Sequence, residues 1–507
     1  MYSIVLTAIV RGIESTEVFV EADVSDGMPV FAMVGFLASE VREASERVRT
    51  ALRNSGYMLP AKRITVNLSP ADVRKSGAGF DLPITVAILG ALGVVHEELL
   101  CRMLIIGAVG LNGNVQPVEG ILAMVTAAKE RGMESCMMAA ENVEEGKLVS
   151  GINIYGVHNI REVIAFLNGK ELQTEIPKQK REEKREKTDD FAEINGQKFL
   201  KRACEVAASG MHNLLLIGPP GAGKTMTAKR IPTILPPMTG AEQLEVSKIY
   251  SVSGFFEKKS GLITERPFRS PHQTITPQGL AGGGRFPKPG EISLAHEGVL
   301  FLDEMTEFQK STLEILRQPL EEKCIHLVRL TGTFTYPADF LLVGAMNPCA
   351  CGHYPDMQKC SCTEAVLKHH LNKISQPLLD RMDICVEAPQ LKYEELTGKE
   401  ANESSASIRE RVIGVHALQK KRFAGTAIRC NSQIPASMLQ QYCPLNGELQ
   451  RYMKEIYDRM SLTARTYHKI LKVARTIADM DSAEQIEIRH LNEAICYRSI
   501  NKKYWER

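Results

Sequence analysis

The first 22 residues, MYSIVLTAIVRGIESTEVFVEA, alternate apolar and polar positions with a period of two, which predicts half-buried β-strands rather than helix. Strand-like runs at Glu17–Ala22 and Arg63–Leu68 are interleaved with helix-like stretches at Ser39–Leu52 and Gly120–Arg131, so residues 1–170 read as an α/β domain. The longest apolar run, Leu82–Val95 (LPITVAILGALGVV), is shorter than the roughly 20 residues a bilayer requires and predicts a buried helix. Over residues 171–190 (ELQTEIPKQKREEKREKTDD) charge is dense and apolar side chains nearly vanish, as in a linker. Strands and helices alternate again over residues 191–390. From 391 to 507 the pattern is almost wholly helical, with helices expected over Ala406–Lys421, Glu448–Met460 and Thr463–Met480. No internal repeat is evident.

A chain of 507 residues is too long for one ordinary core, and 44% hydrophobic with 24% charged residues is the balance of a soluble, multidomain protein. The N-terminus lacks the basic start and cleavage site of a signal peptide, so the cytoplasm is the expected compartment and no membrane partner is expected. A net charge of +2 means that any nucleic-acid surface must be local. In a reducing cytoplasm the twelve cysteines should be free thiols or metal ligands. Eight are scattered through apolar or helical stretches; Cys349, Cys351, Cys360 and Cys362 instead form two Cys-x-Cys pairs in NPCACGHYPDMQKCSC.

The strongest motif lies at LLLIGPPGAGKTMTA (214–228): an apolar strand, then Gly218, Pro219, Pro220, Gly221, Ala222, Gly223, Lys224 and Thr225, then a helix. This is a P-loop in its strand–loop–helix context, and it predicts ATP binding. Backbone N–H groups approach the phosphates, Lys224 neutralises the β and γ charges, and Thr225 ligates Mg2+. A second apolar strand, Val299–Leu302, delivers Asp303 and Glu304 to its carboxyl end. Asp303 is expected to hold the magnesium and Glu304 to polarise the attacking water.

Together with GFDLPITVAILGALG (79–93), RPFRSPHQT (266–274), GGGRFPKPGEISLAHEGVLFLDE (282–304), AMNPCACG (345–352), ISQPLLDRMD (374–383) and ARTIADM (474–480), these motifs resemble the magnesium-chelatase-like AAA+ ATPases of the ComM/YifB family along essentially the whole chain. The resemblance implies a Lon-protease-like (ribosomal S5 domain 2-like) N-terminal domain, a AAA+ P-loop core with a parallel sheet and an α-helical lid, all cytoplasmic. It implies a ring, in the best understood members a hexamer, acting as an ATP-driven DNA helicase that promotes branch migration when single-stranded DNA is integrated during natural transformation. It further implies Asn347 as sensor 1, Arg381 as an arginine finger acting on a neighbouring subunit, and Arg465 as the sensor 2 arginine of the lid. Departures from the family pattern occur at Gln273, Lys373 and Asp339.

A Lon-like domain raises the question of proteolysis, which needs a serine nucleophile and a lysine base. Aligning Lys75–Gly79 with the nucleophile segment puts Gly79 at the serine position, and aligning Pro117–Leu122 with the lysine segment puts Leu122 at the lysine position. Neither residue can do that chemistry, so residues 1–170 read as a binding or assembly domain. For DNA contact, the segment Arg266–Ile292 offers Arg266, Arg269, Arg285, Phe286 and Lys288 around a glycine-rich hairpin tip, with a subunit-contact hairpin as the alternative. A second hairpin, Cys324–Pro337, adds His326 and Arg329, with Lys323 just before it. The cysteine insertion, residues 349–362, reads as four thiolates for a structural zinc ion with no open position, or as reduced unmetallated thiols. Two other functions remain open on the sequence: an unfoldase or chaperone gripping peptide, and a metal-chelatase motor subunit.

Overall fold

The computed structural model describes residues 1–171, 189–257, 261–284, 287–329, 332–390, 393 and 402–505. The alternating N-terminal stretch forms two long antiparallel strands, Tyr2–Arg11 and Glu14–Ser25, in register from Tyr2↔Asp23 to Arg11↔Glu14. Gly12 makes the reversal at φ 72°, a conformation a side chain rarely adopts. These strands sit within a seven-stranded mixed sheet ordered Val30–Val34, Arg63–Ser69, Glu14–Ser25, Tyr2–Arg11, Met103–Ile105, Ser135–Ala139 and Asn153–Val157. Val5, Val18, Val20, Ala22, Val66 and Leu68 point to its buried face. The long apolar run becomes the helix Asp81–Ala91, every residue of which is buried. Its one carboxylate, Asp81, is gripped by Arg47 through two bonds of 2.8 Å, so no unpaired charge is left in the core. The helix expected over Ser39–Leu52 is broken into Ser39–Arg42 and Ala44–Asn54.

Most of the linker lies outside the described residues. Beyond it, a five-stranded parallel sheet runs in the order Phe268–Arg269, Val299–Leu302, Leu341–Met346, Leu214–Ile217 and Ile384–Glu387. The P-loop strand is an interior one, with Leu214 facing Val343 on one side and Ile384 of the edge strand on the other. All the strands around it are apolar because helices cover both faces of a parallel sheet. The segment Arg266–Ile292 supplies the edge strand Phe268–Arg269 of this sheet before it leaves the core.

The C-terminal helices Ser405–Arg422, Gly447–Arg459 and Ala464–Met480 fall within one or two residues of the expected spans, and a further helix, Ile488–Trp505, follows them. They do not hang apart from the sheet. Ile470, Ile477 and Tyr497 share one hydrophobic cluster with Leu214, Phe301 and Val343, and Thr476 meets the buried His212 ring at 2.8 Å. Among the described residues no helix is long and apolar enough to cross a membrane.

Candidate nucleotide site and its surroundings

At the carboxyl end of strand Leu214–Ile217 the chain turns through Gly221 and Gly223, at φ 76° and 79°, before helix Lys224–Ile234 begins. A Cβ at either glycine would meet nothing within 4 Å, so backbone angle, not space, requires glycine there. Lys224 is buried, and its ammonium donates to the carbonyls of Gly218 (2.6 Å) and Pro219 (2.8 Å) and to Asn347 Oδ1 (3.1 Å). Burial pulls its pKa down, while Asp303 and Glu304 oppose that shift. The ammonium thus spans the P-loop and Asn347, where a terminal phosphate fits the donor set. Thr225 donates to Asp303 Oδ2 at 2.7 Å, which brings together two oxygen ligands suited to magnesium. When bound, that ion would supply positive charge to offset the negative charge of the phosphates.

Glu304 is held in the left-handed region at φ 49°. A non-glycine residue there costs about 1–2 kcal/mol. Its backbone N–H donates to Asp303 Oδ1 at 2.9 Å, so one carboxylate turns both toward Thr225 and back onto the next residue.

Asn347 begins the cysteine loop. All four sulfurs of Cys349, Cys351, Cys360 and Cys362 lie within 4.8 Å of one another. Cys349 is 3.3 Å from Cys351 and 3.8 Å from Cys360, and Cys351 is 3.5 Å from Cys360. Sulfurs bound tetrahedrally to zinc at about 2.3 Å would be about 3.8 Å apart, so the set fits that ion. The His353 backbone N–H pulls Cys351 down to about 6. Cys360 is pushed up to about 12: the Cys362 N–H lowers it, but burial and the Cys351 and Cys349 sulfurs outweigh that. The loop packs on the P-loop itself, since a Cβ at Gly352 would lie 2.6 Å from Pro220 Cδ. His370 donates to the Asn347 carbonyl at 3.1 Å, a support that nothing in the sequence pattern announces.

Arg381 and Arg465 come together elsewhere. Arg381 binds Glu321 at 2.5 Å and the Pro377 carbonyl at 2.6 Å, and Arg465 approaches the same Glu321 at 3.7 Å. Both line a cleft of about 680 Å³, with Lys469 and Lys472, that contains no P-loop residue. Glu321 is a meeting point that sequence reading missed.

Three family models match in sequence order. "Subunit ChlI of Mg-chelatase" covers residues 20–142, "Magnesium chelatase, subunit ChlI" covers 190–396, and "Magnesium chelatase, subunit ChlI C-terminal" covers 402–498. YifB of Salmonella typhimurium is 40% identical over 504 residues, which is 99% of this chain and 97% of that protein. Competence protein ComM of Haemophilus influenzae is likewise 40% identical, over 98% of this chain and 97% of its own length. The chain belongs to the magnesium-chelatase-like ComM/YifB family. A stretch of 127 residues, 25% of the chain, is also 27% identical to Lon protease 2 of Bacillus subtilis, over 22% of that protein. Membership of this AAA+ family implies ATPase activity with ATP and magnesium, in agreement with the groups that converge around Lys224.

At the two positions set against the Lon nucleophile and lysine the chain has Gly79 and Leu122. Gly79 has no side chain, and a Cβ there would face Val118 at 3.7 Å. Leu122 is fully buried. The same neighbourhood receives parts of the ATPase module: a small cavity of about 190 Å³ is lined by Arg74, Ser76 and Glu119 from one side and by Lys288, Phe334 and Tyr336 from the other. Lys288 donates to Glu119 at 2.7 Å, Arg11 lies over the Phe334 ring at 5.8 Å, and Tyr336 donates to the Pro287 carbonyl at 2.5 Å.

Of the basic residues singled out from sequence, two are built into the fold. Arg266 donates to the Pro236 and Glu297 carbonyls, both at 2.6 Å, and Arg269 makes a two-pronged pair with Glu291 at 2.6 and 2.7 Å. Their acidic partners, Glu297 and Glu291, lie 31 and 22 residues further along the chain and meet them only on folding. Lys288 and Arg329 each sit on a two-stranded hairpin: Lys288 pairs with Glu119 yet stays half exposed, and Arg329 reaches the first hairpin, where a Cβ at Gly283 would lie 3.2 Å from its Nη2. Arg285 and Phe286 lie outside the described residues.

Proposed function

We propose that this chain is one subunit of an ATP-driven ring that moves along DNA and promotes branch migration or recombination during uptake of single-stranded DNA. The observation that carries the ring is the meeting of Arg381 and Arg465 on a cleft without P-loop residues. Two arginines assigned to the γ-phosphate have no phosphate site of their own chain beside them, so the phosphate comes from the neighbouring subunit's P-loop. Hexameric closure is the ring size proposed.

DNA as the track is supported by the relative named competence protein ComM and by the paired hairpins carrying Lys288 and Arg329. The residues 1–171 brace both hairpins through Glu119 and Arg11. ATP turnover measured with forked DNA, a four-way junction and an unfolded polypeptide tests the reading. Stimulation by DNA with migration of the junction is expected; stimulation by the polypeptide alone, with an immobile junction, would make the protein an unfoldase. Lys288→Ala combined with Arg329→Ala should flatten the plot of log affinity for DNA against log salt by about 1.5, since each lost phosphate contact contributes about 0.7–0.9. An unchanged slope would take both hairpins off the DNA surface.

The cysteine loop is proposed to hold one structural zinc ion that clamps Asn347 and Pro220 together. Protein purified without chelator should carry that zinc, and Cys360→Ser with Cys362→Ser should lose one equivalent per chain by elemental analysis. Equal zinc in both would refute the assignment.

A further inference from the structure

At the root of the second hairpin, outside the nucleotide site and the cysteine loop, Glu322, Cys324 and His326 bring three donor atoms within 4.8 Å of one another. The chain produces this cluster by a short device. Helix Arg317–Glu322 ends, Lys323 takes the left-handed conformation at φ 58°, and strand Cys324–Arg329 starts. Alternation along the strand then places Cys324 and His326 on one face, and the turn carries Glu322 to the same side. The Lys323 ammonium turns away to Asp339, at 3.1 Å, and does not neutralise the cluster.

The distances match one ion's coordination sphere. Cys324 Sγ is 3.2 Å from His326 Nε2, and Glu322 Oε2 is 3.8 Å from that same nitrogen. Tetrahedral zinc with sulfur at about 2.3 Å and nitrogen or oxygen at about 2.1 Å would set such pairs about 3.4–3.6 Å apart. Two of the three donors are also oriented from behind. His326 Nδ1 lies 3.0 Å from the Thr335 hydroxyl on the facing strand; in the tautomer protonated at Nδ1 that hydroxyl accepts the proton and the Nε2 lone pair is left for a metal. Gln318 donates to Glu322 Oε2 at 2.7 Å.

We propose that Glu322, Cys324 and His326 bind a divalent cation of the zinc class, with the fourth position open to water or to a donor from a ligand. The thiolate and imidazole select zinc, cobalt or nickel over magnesium, whose ligands are oxygen. The site ties the end of helix Arg317–Glu322 to the hairpin that carries Arg329, and it stands independently of the DNA reading and of the cysteine loop.

The test is a difference measurement on the full-length protein. Reduced protein freed of loosely bound metal is titrated with Co2+ and followed by the thiolate-to-cobalt absorption and by total bound metal after gel filtration. The unmodified chain should take up one more equivalent of transition metal than Cys324→Ser, whatever the occupancy of the cysteine loop. His326→Gln should lose the same equivalent. Thr335→Val, which keeps all three ligands, should weaken uptake by about 10–100-fold. Equal uptake by the unmodified chain, Cys324→Ser and His326→Gln would overturn the site, as would a Thr335→Val variant that binds no more weakly than the unmodified chain.

Discussion

Arg381→Ala is expected to lower ATP turnover by about 10³–10⁵-fold, the range an arginine finger supplies to phosphoryl transfer, while nucleotide binding to the same subunit persists. Within one chain this guanidinium rests on Glu321 and on the carbonyls of Pro377 and Arg317. None of those partners is a buried acid that the substitution would strand, because Glu321 is half exposed. Tm should therefore change little, and the loss should appear in turnover. Mixing separates a finger from a structural arginine. Arg381→Ala subunits and Lys224→Ala subunits should each be inactive alone, yet a mixed ring contains interfaces where an intact P-loop faces an intact arginine. Recovery of turnover on mixing is the expected result; no recovery would place Arg381 in a role within its own subunit.

Glu304→Gln should bind ATP with near-normal affinity and hydrolyse it about 10²–10⁴-fold more slowly, the contribution of a positioned general base. The amide keeps the shape and the left-handed backbone but cannot accept the proton of the attacking water. Asp303, whose two oxygens take the Thr225 hydroxyl and the Glu304 N–H, remains to hold magnesium. Single-turnover measurement with trapped nucleotide distinguishes slow chemistry from weak binding. Turnover at the unmodified rate would remove Glu304 from the reaction and turn attention to another carboxylate near Lys224.

Elements governed by short-range pattern were legible along the chain. The period-two stretch at the start gave its strands, the long apolar run gave a helix buried on all sides, and three C-terminal helices appeared within one or two residues of their expected ends. The P-loop was equally readable, because the turn, the lysine and the helix start are neighbours in sequence and their chemistry depends on that spacing. Misreadings occurred where a partner is remote. Arg266 and Arg269 looked available for phosphate because Glu297 and Glu291 lie 31 and 22 residues away. The helix over Ser39–Leu52 breaks between Arg42 and Ala44, and its periodicity gave no warning of the break.

The sequence by itself determined the strand–loop–helix that holds phosphate, the acidic pair at the end of a buried strand and the spacing of four cysteines, since each is a local relation among nearby backbone and side-chain groups. Only the tertiary structure decided which distant groups share a space. It set Asn347 against Lys224, Gly352 against the P-loop, Arg381 and Arg465 on one glutamate, and the hairpin bearing Lys288 against Glu119. Those meetings depend on how sheets and helices close over long loops, where chain separation carries no distance and charge finds its partner only after packing.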